Sequence, residues 1–198
     1  MLDRAIDLLD SGSVVAVTLA TPPEGAPMEV DEDLAALAIR VVERVLDRGA
    51  EAVIADDDRP GERRRKLVPA DIGISATHRS MNAAIQRLLP SRLRDVRVDT
   101  PERWQGLERR VFVAVHPLSG VIKPAAFDLE TGRLCVMASR HKAGLVVVTR
   151  DHVGDTLDNL ITTADQAVGR PDVSGRGHFQ HRSFWAQIAN SGRIVAAT

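Results

Sequence analysis

Short apolar runs alternate along the chain with stretches in which apolar residues recur at helical spacing. The runs predict strands at residues 13–19, 52–55, 71–76, 96–98, 110–116 and 145–149. The periodic stretches predict helices at residues 31–48, 78–89, 129–140 and 153–163, a helical turn at 101–105, and a last helix or a frayed tail at 181–191. Because strands that alternate with helices pair in parallel, the pattern indicates an α/β fold with a mostly parallel sheet and helices on both faces.

The helix at residues 31–48 has the strongest pattern, because apolar residues keep helical spacing along its whole length. Asp31 or Asp33 suits its acidic start, since a negative charge is favoured near a helix N-terminus. Gly49 suits its end, because glycine is common just after a helix.

Two polar stretches interrupt this pattern. Residues 56–69 contain the basic run Arg63–Lys66 and predict a loop, whose cations either contact a nucleic-acid backbone or are simply solvated. Residues 169–177 are rich in glycine and predict a linker. The chain is therefore expected to form one domain at residues 1–165, followed at 166–198 by a linker and a short helix or tail.

Composition supports a soluble parallel-sheet protein. Hydrophobic residues make up 44% of the 198 residues and aromatic residues only 3%, so the core must be built from small aliphatic side chains. The net charge of -1 means that any binding of nucleic acid must come from a local basic patch. The single cysteine excludes an intramolecular disulfide, and no apolar run approaches the roughly 18 residues of a membrane span. We expect a cytoplasmic protein with no membrane contact.

Several catalytic motifs are missing from the sequence. It contains no GxxxxGK[ST] phosphate-binding loop and no C-x-x-C, H-E-x-x-H or G-x-S-x-G pattern. The acidic run at residues 56–58 continues into a polar loop and indicates a solvated segment rather than a magnesium site. His178 and His181 either bind a metal weakly or belong to a solvated tail, and the second alternative is favoured. No metal site is therefore expected in this chain.

Three segments carry a recognisable pattern, and all three are expected beyond the carboxyl ends of strands, where ligands bind in such folds. Residues 72–79 read IGISATHR, residues 98–108 read VDTPERWQGLE before the apolar run at 111–116, and residues 133–142 read RLCVMASRHK before the run at 145–149. Their order and spacing resemble the second RecA-like domain of superfamily 1 DNA or RNA helicases. The second segment resembles motif V and the third motif VI, and residues 98–120 also resemble a helicase-like bacterial ATPase.

This resemblance implies a RecA-like, P-loop NTPase-type three-layer fold that provides half of an ATP site. It implies that Arg140 and Gln105 act in catalysis and that Glu108, Gly106 and Arg140 contact the nucleotide. ATP and Mg²⁺ would bind in the full-length protein, with the Mg²⁺ ligands on an N-terminal P-loop RecA-like domain and not in this chain. The chain alone is therefore not expected to hydrolyse ATP. The alternative for Arg140 is a surface arginine at a helix end. The alternative for Gln105 and Glu108 is a polar turn before a strand.

The resemblance also implies contacts to single-stranded DNA or RNA from Thr77, His78, Arg79 and Thr100. The helix start at residues 77–79 can bind phosphate, although the family has a proline and an aromatic residue where this chain has Thr77 and His78. Thr100 equally suits the N-cap of a turn that begins at a proline. These residues therefore have structural alternatives to contact with nucleic acid.

Three further residues have open alternatives. Trp104 either stacks on a base or is buried beneath the motif V turn, and burial is favoured. Arg133 lies seven residues before Arg140, and either assists phosphate binding or pairs with a carboxylate. His141 replaces the small residue that follows the motif VI arginine in the family, so altered packing is expected there.

The function that follows from the resemblance is that of the C-terminal motor domain of a superfamily 1 helicase or translocase. It would share an ATP site with an N-terminal P-loop domain. The alternative is a non-catalytic RecA-like adaptor module that binds protein or nucleic acid.

Overall fold

The computed structural model describes residues 1–55, 62–161 and 173–197. In chain order the elements are α1 (Leu2–Asp10), β1 (Val14–Leu19), α2 (Glu32–Asp47), β2 (Glu51–Ala55), β3 (Glu62–Lys66), β4 (Ile72–Ser75), α3 (Arg79–Leu88), β5 (Arg97–Asp99), β6 (Arg109–Val115), α4 (Thr131–Ala138), β7 (His141–Arg150), α5 (Val153–Asn159), α6 (Val173–Asn190) and β8 (Ile194–Ala197). Short 3₁₀ turns lie at Pro69–Asp71, Ser91–Leu93 and Pro101–Trp104.

Six strands form one sheet in the order β5-β4-β6-β7-β1-β8, and every neighbouring pair is parallel. The central strands are continuous apolar runs, as expected for strands covered on both faces. Residues 145–148 of β7, for example, are each at most 2% exposed. The predicted parallel sheet is therefore confirmed.

Helices cover both faces of this sheet. On one face α1, α2 and α3 pack against alternate strand residues such as Val15, Ile72 and Val113. On the other face α4, α5 and α6 pack against the intervening residues, among them Phe112 and Val147. The predicted three-layer α/β fold is confirmed, and the arrangement is consistent with a RecA-like domain.

The start of α2 confirms one detail of the prediction. Asp31 is the N-cap, and its Oδ1 accepts a hydrogen bond of 3.0 Å from the Leu34 backbone N–H. This bond satisfies one of the donors that a helix leaves free at its N-terminus.

The C-terminal segment differs from the prediction. An 18-residue helix, α6, replaces the end of the predicted linker, residues 173–177, and the short helix or tail, and β8 then pairs with β1 at the edge of the sheet. Gly177 lies within α6, where a Cβ would come within 2.0 Å of the Leu129 carbonyl oxygen. Glycine there permits close packing of the helix and is not a linker signal. The predicted boundary at 165/166 and the linker residues 169–172 lie outside the described residues.

The basic run was wrongly predicted as a loop. Residues 62–66 form β3, which pairs antiparallel with β2 in a separate two-stranded sheet. Strand pairing holds this segment in place although four consecutive cations give it no apolar alternation. The acidic run at residues 56–58 lies outside the described residues. Within the described part of the chain, no helix is both long and apolar enough to cross a membrane.

Candidate functional site

The three motif segments do not lie on one side of the sheet. Residues 76–79 and Thr100 follow β4 and β5, and so lie at the carboxyl edge of the parallel sheet. Residues 105–108 precede β6, and residues 139–140 precede β7, so both lie at the amino edge. The expectation that all three segments lie beyond the carboxyl ends is therefore wrong for the second half of the second segment and for the third segment. The connections cross one face of the sheet and return the chain to the amino edge.

The amino edge brings the predicted nucleotide residues together. The Arg109 backbone N–H donates a hydrogen bond of 2.9 Å to the Arg140 carbonyl oxygen, which joins the two segments. Next to this bond, Lys142 Nζ lies 3.0 Å from Glu108 Oε2. The hydrogen bond from Lys142, its positive charge and the charge of Arg140 lower the pKa of Glu108. Glu108 and Arg140 thus lie in the same part of the amino edge.

Arg140 holds its guanidinium next to a hydroxyl group. Its Nε and Nη2 donate to Ser139 Oγ at 3.3 and 2.9 Å. Within the described ranges no carboxylate oxygen lies within 4.0 Å of this guanidinium. The side chain is half-buried, and Arg140 follows the C-cap Ser139 of α4 rather than being the last residue of the helix as predicted. Its remaining donors are available to an anion.

Gly106 shapes the turn before β6. Its φ is +76°, a left-handed conformation that other residues rarely adopt, and a Cβ built there meets nothing within 4 Å. The glycine therefore serves the turn and not a close approach of another atom of this chain. The neighbouring Gln105 is exposed at the same turn.

Trp104 is completely buried, so it cannot stack on a base. Its Nε1–H donates to the Ile74 carbonyl oxygen at 3.2 Å, and its ring contacts Phe112 edge-on at a centroid distance of 4.9 Å. A Cβ at position 73 would come within 2.6 Å of the indole, so Gly73 makes room for it. The favoured prediction of burial is confirmed, and Trp104 anchors the motif V turn to the sheet.

Arg133 pairs with carboxylates. It lies 3.0 Å from Glu102 and 2.6 Å from Glu130, and its guanidinium lies 4.0 Å from the centre of the Phe127 ring. These contacts occupy the side chain, which is 18% exposed. The carboxylate alternative is confirmed, and Arg133 does not share a helix face with Arg140, which lies beyond the end of α4.

At the carboxyl edge, the turn before α3 is held by a residue that sequence reasoning missed. Asn82 Oδ1 accepts from the Ala76 backbone N–H at 3.1 Å, and its Nδ2 donates to the carbonyl oxygens of Ala76 and His78 at 2.6 and 2.8 Å. The available signal was a polar residue on the buried face of a helix. Thr77 and His78 line a shallow pocket beside this turn, whereas Arg79 is exposed at the first position of α3.

Thr100 is the N-cap of the 3₁₀ turn that begins at Pro101, as one alternative predicted. It is only 8% exposed. Burial by itself would raise the pKa of Glu102, but hydrogen bonds from the backbone, from the Thr100 hydroxyl and from Arg133 lower it. The hydroxyl therefore already has a partner within the chain.

The carboxyl edge also holds a buried ion pair that the sequence did not indicate. Arg150, at the end of β7, donates from Nε and Nη2 to the two carboxylate oxygens of Asp31 at 2.7 and 2.8 Å. The side chains are 4% and 6% exposed. Arg150 also donates to the Ala20 carbonyl oxygen at 2.6 Å. This contact joins α2, β7 and the end of β1.

Two buried histidines meet where α6 packs on the sheet: His181 belongs to α6, and His116 follows β6. The rings of His116 and His181 are 5.3 Å apart, and both side chains are buried. Burial lowers the pKa of His181 to about 4, and lowers that of His116 well below its usual value. His178 Nε2 lies 2.6 Å from the Leu157 carbonyl oxygen. The prediction of a solvated tail is therefore wrong for His178 and His181. In the described residues, no group of three or more His, Cys, Asp or Glu is arranged to hold a metal ion.

No protein-family model matches the chain, and no curated protein is significantly similar to it. The resemblance to superfamily 1 helicases therefore rests on the three sequence segments alone. Roles in ATP hydrolysis and nucleic-acid binding are accordingly treated below as proposals.

Proposed function

We propose that this chain is the C-terminal motor domain of a superfamily 1 helicase or translocase, and that it contributes Arg140 to an ATP site shared with an N-terminal P-loop domain. The observation that carries the proposal is the guanidinium of Arg140. This guanidinium has N–H donors that no carboxylate in the described residues occupies, and it lies near Glu108 and the Gly106 turn. The three residues also have the sequence spacing of motifs V and VI.

The chemistry of these groups fits a nucleotide. A guanidinium binds phosphate oxygens through two parallel hydrogen bonds and stays charged. In phosphoryl transfer such an arginine stabilises the charge that develops on the γ-phosphate, which accelerates the reaction about 10³ to 10⁵-fold. A carboxylate such as Glu108 can accept from ribose hydroxyls, and Gln105 can report the state of the nucleotide. The P-loop domain would supply the phosphate loop and hold Mg²⁺, which neutralises phosphate charge.

For nucleic acid the proposal keeps the predicted residues at the carboxyl edge. Arg79 supports this role because it is exposed at the N-terminus of a ten-residue helix. Thr77 and His78 support it because they line the neighbouring pocket. Thr100 contributes less, since its hydroxyl is buried and already bonded.

The test is ATP hydrolysis by this chain joined to the P-loop domain expected upstream in its reading frame. Arg140→Ala should lower kcat at least about 10³-fold, because the transition-state cation is lost. Arg94→Ala, which removes an 83%-exposed cation elsewhere, is the matched control and should leave kcat unchanged. Full activity in Arg140→Ala would overturn the assignment of Arg140. A reading frame with no P-loop domain would overturn the motor assignment and favour the adaptor.

A further inference from the structure

Four of the six histidines of the chain lie together where α6 packs on α5 and on the sheet. His116 follows β6, His152 is the N-cap of α5, and His178 and His181 belong to α6. The rings of His116 and His181 are 5.3 Å apart, and His178 is close enough to His181 to lower its pKa by charge repulsion. We define these four residues as the histidine cluster.

His181 has no polar partner in the part of the chain that the structure describes. Its side chain is completely buried, and neither ring nitrogen makes a hydrogen bond there. The Nε2 of the buried His116 is without a partner as well. Burial lowers the pKa of His181 to about 4, against 6.5 for an ordinary histidine. A proton on this ring would be a buried charge without a counter-charge, which a folded protein accommodates poorly.

No carboxylate in the described residues offsets such a charge. The elements that pack against α6 are α4, α5 and β1, and β1 carries no titratable side chain. The other titratable side chains of α4, of its N-cap, of α5 and of α6 are exposed or paired with one another at the surface: Glu130 with Arg133, Asp158 with Arg182, and the exposed Cys135, Asp155 and Arg176. Protonation of the cluster therefore adds repulsion between histidines and gains no ion pair.

The cluster is covered by elements at the edge of the fold. β8 is the last strand of the sheet, pairs only with β1, and has one buried residue, Val195. The Arg182–Asp158 pair that joins α6 to α5 is exposed on both sides, so it contributes little to stability. Peripheral segments of this kind open at a lower free energy than the central strands of a sheet.

We propose that α6 and β8 form an acid-released latch, which leaves the rest of the fold when the histidine cluster takes up protons. In the closed state His181 is neutral and packs against His116. When the latch opens, both rings reach water and can be protonated without losing hydration. The open state therefore binds more protons than the closed state, so a fall in pH shifts the equilibrium toward opening. Opening uncovers the edge of β1, on which another strand could pair.

The latch goes beyond the proposed function and does not depend on it. The histidine cluster contains none of the residues that are proposed to contact nucleotide or nucleic acid. The chain alone is sufficient for the test, so a failure of the latch leaves the motor assignment unchanged, and the reverse also holds.

The experiment is amide hydrogen exchange of this chain, followed by NMR between pH 7 and 4.5, with each rate divided by the intrinsic rate at the same pH. Amides of α6 and β8 should be less protected than those of β6 and β7 at every pH, because the latch opens without the central strands. Between pH 7 and 4.5 the protection of the latch should fall at least about 60-fold, which is the change in the opening equilibrium for one histidine whose pKa is about 4 when closed and 6.5 when open. Equal protection of β8 and β7 at every pH would overturn the latch, because the whole fold would then open together.

The decisive variant is His181→Leu, which cannot take up the proton. The fall in latch protection should be about 60-fold smaller than in the wild type, and the remainder belongs to His116. If His181→Leu does not fold, His181→Gln gives the same comparison with a polar side chain. The matched control is Gln180→His, which adds an exposed histidine to the same helix and should leave the pH profile unchanged, since an exposed ring has the same pKa in both states. A fall as large in the position-181 variants as in the wild type would overturn the proposal.

Discussion

The two edges of the sheet differ in what their polar residues do. At the carboxyl edge several charged and polar groups bond to one another and are buried, as in the Asp31–Arg150 pair and the Asn82 turn. At the amino edge they are exposed or half-buried, and Arg140 keeps donors free. The carboxyl edge, where ligands usually bind in such folds, nevertheless also holds buried polar atoms without a hydrogen-bond partner in the described residues, among them Ser75 Oγ and Thr77 Oγ1.

This difference indicates that the two edges respond differently to mutation. A bonded, buried polar group contributes to stability, and its loss leaves an unsatisfied partner. An exposed group with free donors contributes little to stability and remains available to a ligand. Changes at the carboxyl edge should therefore unfold the protein more readily, whereas changes at the amino edge should alter binding and leave the fold intact.

The largest expected effect on stability is that of Asp31→Ala. Because it leaves the buried Arg150 without its carboxylate, it should lower the free energy of unfolding by about 3–5 kcal/mol, measured by urea denaturation. Asp33→Ala is the matched control, since Asp33 lies 3.4 Å from the same arginine but is 79% exposed, and it should have little effect. Asp31→Asn keeps a capping oxygen but removes the charge, so it should lower the free energy of unfolding almost as much as Asp31→Ala does. Wild-type stability in Asp31→Asn would show that the charge pairing is unimportant.

The next effect is a loss of stability in acid. His181 is neutral when folded, with a pKa of about 4 against 6.5 for an ordinary histidine, so the unfolded chain binds more protons between these values. Stability should therefore fall as the pH drops from about 6.5 to 4, by on the order of 3 kcal/mol from His181. The buried His116 acts in the same direction.

The measurement is the urea midpoint as a function of pH for wild type and His181→Leu. The variant should lose part of the slope between pH 6.5 and 4, because the buried His116 still contributes, while His78→Gln should keep the whole slope. An unchanged slope in His181→Leu would place the acid sensitivity elsewhere.

The strands and helices that form the three layers could be predicted because each pattern depends only on residues close together in the sequence. A continuous apolar run such as residues 111–115 indicates a strand buried on both faces, and the periodicity of residues 31–48 indicates a helix. The strands β3 and β8 were not predicted. The first is a run of cations held by pairing with β2, and the second has only Val195 buried among its four residues.

The candidate residues could be selected from the sequence, but their position in the fold could not. Motif spacing indicated Arg140, Glu108 and Gly106, and the structure places them together at one edge. Their placement at the amino edge follows from chain direction, because a residue just before a parallel strand lies at its amino end. The Asp31–Arg150 pair joins residues 119 positions apart, and no local pattern reports such a contact.

A smaller effect on stability is expected at the amino edge from Gly106→Ala. The substitution fills empty space but forces alanine into a left-handed conformation, which costs about 1–2 kcal/mol. Gly132→Ala is the control, because this glycine lies in α4 with a normal φ, and alanine there should stabilise the protein by up to about 1 kcal/mol. Equal effects of the two substitutions on the urea midpoint would show that the turn before β6 does not require glycine.

The smallest expected effect on stability is that of Lys142→Ala. The Lys142–Glu108 pair is half-exposed on both sides, so the urea midpoint should not change measurably. The pKa of Glu108 should nevertheless rise toward its ordinary value, as measured by carbon NMR titration of its carboxyl group, because Lys142 contributes most to lowering it. Arg140→Ala should raise the same pKa less, since Arg140 acts only through its charge. A larger rise in Arg140→Ala than in Lys142→Ala would mean that Glu108 pairs mainly with Arg140 in solution, and the arginine would then lack the free donors that a phosphate requires.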